Sequence, residues 1–204
     1  MTFFYQVLNP LDAVCDKERN DAVCVSNLKS AKDIDKSILQ ERPDVKIFLP
    51  FRFHFYKPKD LFKENTYKNY LVDEISYVAP PAPPLSQMHE LSPELFCNGD
   101  NRPADCPVDC RCTHMIDVPL NSVVEIVLVD EVQSPNLSHP FHLHGAPYNV
   151  IGMGRSPDKN IKKINLKHAL DLDRKGLLHR QYDLPPFKDT IADTGSSIVT
   201  LSII

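Results

Sequence analysis

Proline is the feature that most limits how this chain can fold, because eighteen of its 204 residues are proline and only six are glycine. Proline has no backbone N–H and a fixed φ, so it interrupts helices and sheet ladders alike. Frequent stiff breaks with few glycines indicate many short strands joined by loops, not a flexible low-complexity chain. The densest run is at residues 79–84, where we expect an extended surface segment.

Runs of β-branched and aromatic residues between these breaks predict the strands. Residues 123–130 are almost continuously apolar apart from Glu125, which predicts a strand buried on both faces. Residues 45–56 predict one or two strands with a bend at Pro50. Further extended segments are expected at residues 74–78, 148–153, 184–192 and 197–204, and short helices at residues 30–40 and 166–174. The pattern favours an all-β fold, a sandwich or barrel.

Charge and hydropathy exclude some classes of function. The net charge is −4 with both signs interspersed, so a nucleic-acid partner is not expected. No apolar run approaches the ~20 residues of a transmembrane helix. Residues 1–6 also lack the basic leader and apolar core of a signal peptide.

The six cysteines nevertheless point to an oxidising compartment. One pair is Cys15 and Cys24, and residues 97–114 form a predicted cysteine-rich loop that holds the other four: Cys97, Cys106, Cys110 and Cys112. Disulfides are the favoured interpretation. A zinc site formed by the last three of these cysteines with His114 is the alternative, although the sequence lacks paired CxxC knuckles.

The densest chemistry lies at residues 139–145, with sequence His-Pro-Phe-His-Leu-His-Gly. Imidazole nitrogen suits copper, so three histidines within six residues predict a metal site. On a strand, His142 and His144 would project to the same face, roughly 6.5 Å apart along the chain. Pro140 holds His139 extended, so it aims at a separate point. Gly145 would end the run where a side chain would obstruct the backbone or the metal.

This segment resembles the third copper-binding motif of the multicopper oxidases, HPxHLHG. Flanking text at residues 9–16, 45–51, 127–132, 136–138 and 164–174 resembles the arthropod laccases in particular. The resemblance implies a cupredoxin-like Greek-key β-sandwich and a copper cofactor. It also implies an extracellular enzyme that oxidises diphenol-like aromatics and reduces dioxygen to water.

Carried over residue by residue, the resemblance implies a role for each histidine of the motif. His139 would be a ligand of the type 1 copper, which takes single electrons from the reducing substrate. His142 would bind the type 2 copper and His144 a type 3 copper, both in the trinuclear cluster that reduces dioxygen. His54, His89, His114, His168 and His179 match no ligand motif.

The chain departs from the family pattern in what surrounds this motif. The other three ligand motifs are absent, and no cysteine follows Cys112 to supply the type 1 thiolate. We therefore expect a fragment: residues 1–50 as the tail of a second cupredoxin domain, and residues 51–204 as a third domain, incomplete at its C-terminus and unlike the family from about residue 193. Such a chain alone would be inactive; the alternative is a non-catalytic, truncated copper-binding domain. Residues 136–138 also match a glycosylation sequon at Asn136.

Overall fold

The computed structural model describes residues 7–8, 20–39, 41–56, 67–106, 108–132, 137–156, 158, 160–161, 163–194 and 197–203. In chain order its strands are β1 (Val7–Leu8), β2 (Ala22–Val23), β3 (Val45–Tyr56), β4 (Tyr67–Val72), β5 (Ile75–Tyr77), β6 (Phe96–Cys97), β7 (Cys110–His114), β8 (Val124–Asp130), β9 (Ser138–His142), β10 (Tyr148–Gly154), β11 (Phe187–Lys188), β12 (Thr190–Thr194) and β13 (Ile198–Ile203). The α-helices are α1 (Pro84–Gln87) and α2 (Leu166–Arg174), and single 3₁₀ turns occupy Val25–Asn27, Met88–Glu90 and Pro93–Leu95.

These elements form two compact units. One comprises residues 1–49 and 119–204, and the other residues 50–118. The strand β3 passes from the first unit into the second at Pro50, as one continuous strand of 12 residues. Among the described residues, no helix has both the length and the apolar character needed to span a membrane.

The sheet of the first unit has β13 at its centre. This strand pairs antiparallel with β10 on one side and β8 on the other, and β11 extends the sheet beyond β10. A second, two-stranded sheet is formed by β9 and β12, which are antiparallel. The strands predicted near residues 123–130, 148–153 and 197–204 are therefore confirmed.

Helix α2 covers the core of the first unit and has the bounds predicted for it. The side chain of Asn165 caps its first turn by accepting the N–H of His168 at 2.9 Å. Gly176, with φ of +67°, ends it in the left-handed conformation that favours glycine. The buried residues Ala169 and Leu172 of α2 share one apolar cluster with Val127 and Val129 of β8, Ile198 of β13, and the flanking residues Ile164 and Leu178.

The helix predicted at residues 30–40 is wrong. The described part of this segment forms turns at residues 36–38. The carboxylate of Asp35 accepts hydrogen bonds from the backbone N–H and the hydroxyl of Ser37, at 2.9 and 2.8 Å. This side-chain turn competes with the helical hydrogen bonds of the same backbone.

The second unit contains β4 to β7, the later part of β3 and two disulfides. Cys97 is bonded to Cys112 and Cys106 to Cys110, with Cα–Cα distances of 5.9 and 5.2 Å. The disulfide prediction is confirmed for these four cysteines, and the zinc alternative is wrong. The predicted cysteine-rich loop is also shorter than expected, because β6 and β7 occupy its two ends.

Of the remaining two cysteines, the structure describes only Cys24. Cys24 is disulfide-bonded, whereas Cys15 lies outside the described residues. The sequon residue Asn136 also lies outside them.

Candidate metal centre

The three motif histidines lie on β9 and just beyond its end. His139 and His142 belong to the strand, and His144 follows after Leu143. Residues three apart on a strand point to opposite faces, which matches the half-buried side chain of His139 and the exposed one of His142. His139 is therefore directed away from the other two, as its sequence context predicts.

His142 and His144 come together although the strand ends between them. Their ring centroids are 4.9 Å apart with an interplanar angle of 72°. Both residues are exposed, so their imidazoles are open to a ligand. The prediction that they project together is confirmed.

The ring of His142 is hydrogen-bonded to Asp189 and Thr190, at the start of β12. Its Nδ1 lies 2.8 Å from the carbonyl oxygen of Asp189 and 2.9 Å from Oγ1 of Thr190. Thr190 is the direct cross-strand partner of His142 in the β9–β12 register. Metal-binding histidines commonly use one ring nitrogen in this way and offer the other to the metal.

His139 lies beside a buried acid at the end of β8. Its Nδ1 is 3.6 Å from Oδ2 of Asp130, whose side chain is fully buried. The other carboxylate oxygen of Asp130 accepts the backbone N–H of Val132 at 2.6 Å. This hydrogen bond fixes the orientation of the carboxylate that faces His139.

Tyr148 forms a hydrogen bond to the backbone of β9. Its side chain is almost fully buried, and its hydroxyl donates to the carbonyl of Phe141 at 3.0 Å. Burial, together with the negative charge of Asp189, raises the pKa of Tyr148 to about 12. Tyr148 is therefore a neutral hydrogen-bond donor under the motif at ordinary pH.

Gly145 is not needed to give room to a neighbouring backbone, which was one of the two predicted reasons for it. Its φ is +89°, a conformation that L side chains rarely adopt, but no heavy atom lies within 4 Å of the position of an added Cβ. Glycine here lets the chain turn after His144. It does not make room for a close backbone.

The donor set fits copper without completing a site. Imidazole nitrogens are ligands that copper accepts, and the hydrogen bonds at His142 Nδ1 leave its Nε2 for a metal. Within the described ranges, no group of three or more His, Cys, Asp or Glu side chains is placed to hold one ion. A full coordination sphere would need further donors.

Sequence reasoning identified the histidines but missed the residues that hold them. Asp130, Tyr148, Asp189 and Thr190 stand 7 to 48 residues from the histidine or motif carbonyl that each contacts. Their local sequence predicted strands and an extended segment, and no pattern in it indicated which histidine they would meet.

The fold is similar to that of a solved multicopper oxidase. The crystal structure of Fet3p, described as a multicopper oxidase that functions in iron import, superposes with a TM-score of 0.53 at 18% sequence identity, covering 92% of this chain and 30% of that one. This likeness confirms the all-β, cupredoxin-like fold.

Two laccases align with parts of the sequence. Laccase-4 of Trametes villosa is 29% identical over 93 residues, or 45% of this chain and 16% of its own length. Laccase-10 of Arabidopsis thaliana is 31% identical over 70 residues, or 33% of this chain and 12% of its own length. The alignments thus span less than a fifth of these relatives.

The family model described as multicopper oxidase matches residues 77–201. The match includes the histidine motif with its supporting strands, and it continues into β13. It implies copper as the cofactor. Because it extends over more than half of the sequence and agrees with the fold, the chain belongs to the multicopper oxidase family.

Proposed function

We propose that this chain is part of a laccase-type multicopper oxidase, an extracellular enzyme that oxidises diphenol-like aromatic substrates and reduces dioxygen to water. His139 would bind the type 1 copper, His142 the type 2 copper and His144 a type 3 copper. The family match and the two laccase alignments support this assignment. The closer likeness to arthropod laccases and the division into a second-domain tail, residues 1–50, and a third domain, residues 51–204, remain predictions.

The observation that carries the proposal is the pairing of His142 with His144. Two exposed imidazoles with centroids 4.9 Å apart can serve one copper or two neighbouring coppers. His139, on the opposite face of the same strand, would reach a different ion. Bound copper would supply the one-electron redox chemistry on which reaction with dioxygen depends.

We further propose that the isolated chain does not catalyse the oxidation. A type 1 site uses a cysteine thiolate, and every cysteine that the structure describes is in a disulfide. Among the described residues, no three His, Cys, Asp or Glu side chains are placed to hold one ion, which also supports the proposal that the isolated chain is inactive. A copper-binding domain without catalysis is the second candidate function, and the exposed His142–His144 pair favours it.

Copper titration of the purified chain tests the metal site. We expect Cu(II) to bind with imidazole signatures in the electron paramagnetic resonance spectrum, and both His142→Ala and His144→Ala to weaken binding. His89→Ala is the matched control, because His89 is also exposed but lies in the other unit. Binding that survives both motif substitutions, or that depends equally on His89, would contradict the site.

Catechol oxidation tests the catalytic part of the proposal. We expect the copper-loaded chain to show neither an intense blue absorption nor oxidation of catechol above free copper. If both appear, the chain is catalytic by itself and our assignment of inactivity is wrong.

A further inference from the structure

The two hydrogen bonds at Nδ1 of His142 determine where the ring carries its proton. A carbonyl oxygen can only accept, so Nδ1, at 2.8 Å from the carbonyl of Asp189, must be the protonated nitrogen of the neutral ring. In this tautomer the lone pair is on Nε2. The hydroxyl of Thr190, 2.9 Å away, is a second partner on the same side of the ring.

The same carbonyl also fixes the backbone next to His142. The oxygen of Asp189 accepts the N–H of Leu143 at 3.1 Å as well as the Nδ1–H of His142. A carbonyl has two lone pairs, so it can take both bonds. One oxygen atom, in the segment that leads into β12, thus holds both the ring of His142 and the backbone of Leu143.

The hydroxyl of Thr190 adds what the carbonyl alone does not. One hydrogen bond allows the imidazole to rotate about it, whereas two partners restrict the ring plane. The neighbouring ring of His144, with its centroid 4.9 Å away, makes this plane important, because a rotated His142 would present its free nitrogen elsewhere.

We propose that Thr190, together with the carbonyl of Asp189, is a positioning residue that sets the tautomer and the ring orientation of His142, so that Nε2 is the nitrogen presented to a metal. This inference rests on the proposed function for the identity of the metal. The tautomer itself is a property of the metal-free protein.

The experiment uses three variants of the whole chain. Thr190→Val keeps the shape of the side chain but removes the hydroxyl, and Thr190→Ser restores it. Thr113→Val is the matched control, since Thr113 also loses a hydroxyl hydrogen bond, to the carbonyl of Val78, in the other unit. Long-range ¹H–¹⁵N spectra of the metal-free proteins, recorded above the ordinary histidine pKa of about 6.5, report the tautomer of each ring. Copper titration then reports affinity.

We expect His142 to be protonated at Nδ1 in the native chain and in all three variants, because the carbonyl of Asp189 is retained, and the ring plane to be less restricted in Thr190→Val. Copper affinity should fall about tenfold in Thr190→Val alone, the low end of the range for loss of an outer partner. A native His142 protonated at Nε2 overturns the proposal, and this result needs no variant to fold. So does a Thr190→Val protein that matches the native one in copper affinity. If the native chain binds no copper, the proposed function fails, whereas the tautomer spectra still test whether Nε2 of His142 is the nitrogen left for a metal.

Discussion

Arg180 meets the carboxylate of Glu125 with two parallel hydrogen bonds, from Nε at 2.9 Å and from Nη2 at 2.6 Å. Glu125 is the one acidic residue within the otherwise apolar part of β8, and its side chain is 2% exposed. A buried carboxylate is stable only if it is paired and hydrogen-bonded. Arg180 therefore makes it possible for an acid to lie within a buried strand of the first unit.

Removal of Arg180 alone should destabilise the protein. We expect Arg180→Met to lower the free energy of unfolding by about 3–5 kcal/mol, because the buried Glu125 would lose both hydrogen bonds from Arg180 and keep Lys46, whose Nζ is 3.6 Å away. The double variant Glu125→Met with Arg180→Met should lose less, since it buries no uncompensated carboxylate. Urea unfolding measures both. A double variant at least as unstable as Arg180→Met would show that the bidentate pair is not the reason for the loss.

Asp173 should give the first unit a specific acid sensitivity. Burial acts to raise the pKa of Asp173, but hydrogen bonds from Arg180 and Lys46 outweigh it and hold the pKa below its ordinary value of 3.8. The folded protein therefore binds this proton less readily than the unfolded chain. The resulting stabilisation is complete above the ordinary value and is lost as the pH falls through the lowered one.

Unfolding of native protein and Asp173→Asn at a series of pH values checks this sign. The native protein should be the more stable by a constant amount above about pH 5, and the difference should shrink below about pH 4. A difference that stays constant down to pH 2 would mean that Asp173 does not titrate with a lowered pKa.

Gly152 should tolerate no side chain, whereas Gly154 on the same strand should. A Cβ at Gly152 would lie 2.1 Å from the carbonyl oxygen of His179, but one at Gly154 would meet nothing within 4 Å. We expect Gly152→Ala to lower the free energy of unfolding by about 1–3 kcal/mol, because backbone atoms must move to admit the Cβ. Gly154→Ala should change it by less than about 0.5 kcal/mol. Thermal unfolding of the two variants compares them directly. Equal melting temperatures would contradict the close approach of residue 179 to β10.

The sequence predicted what depends on local pattern. The apolar run at residues 123–130 predicted β8, because such a run indicates burial, and the charged, weakly helical stretch at residues 166–174 predicted α2. The pattern also marked Glu125 as an exception but could not name its partner, since Arg180 is 55 residues away. Long-range pairing depends on the whole topology, which a local pattern does not contain.

The candidate metal centre shows the same difference between what local sequence predicts and what depends on long-range pairing. Proximity in sequence placed His142 and His144 together, and the structure confirms it. The direction of the His142 ring depends on Asp189 and Thr190 at the start of β12, whose register with β9 is set by the fold and not by the motif. The helix predicted at residues 30–40 is wrong because of a short-range interaction. The carboxylate of Asp35 accepts the N–H of Ser37, two residues away, and this side-chain turn replaces the helical hydrogen bonds that the apolar spacing predicted.

The ribbon of β9 and β12 has a consequence for dynamics. A two-stranded sheet has few partners to hold it, and isolated pairs of strands are only marginally stable in water. Its amide hydrogens should therefore exchange with solvent through local opening, sooner than those of β13, which is paired on both sides. A metal ion that binds both His142 and His144 would close this local equilibrium, so part of its binding free energy would go into ordering the ribbon and would appear as slower exchange at residues 138–142 and 190–194.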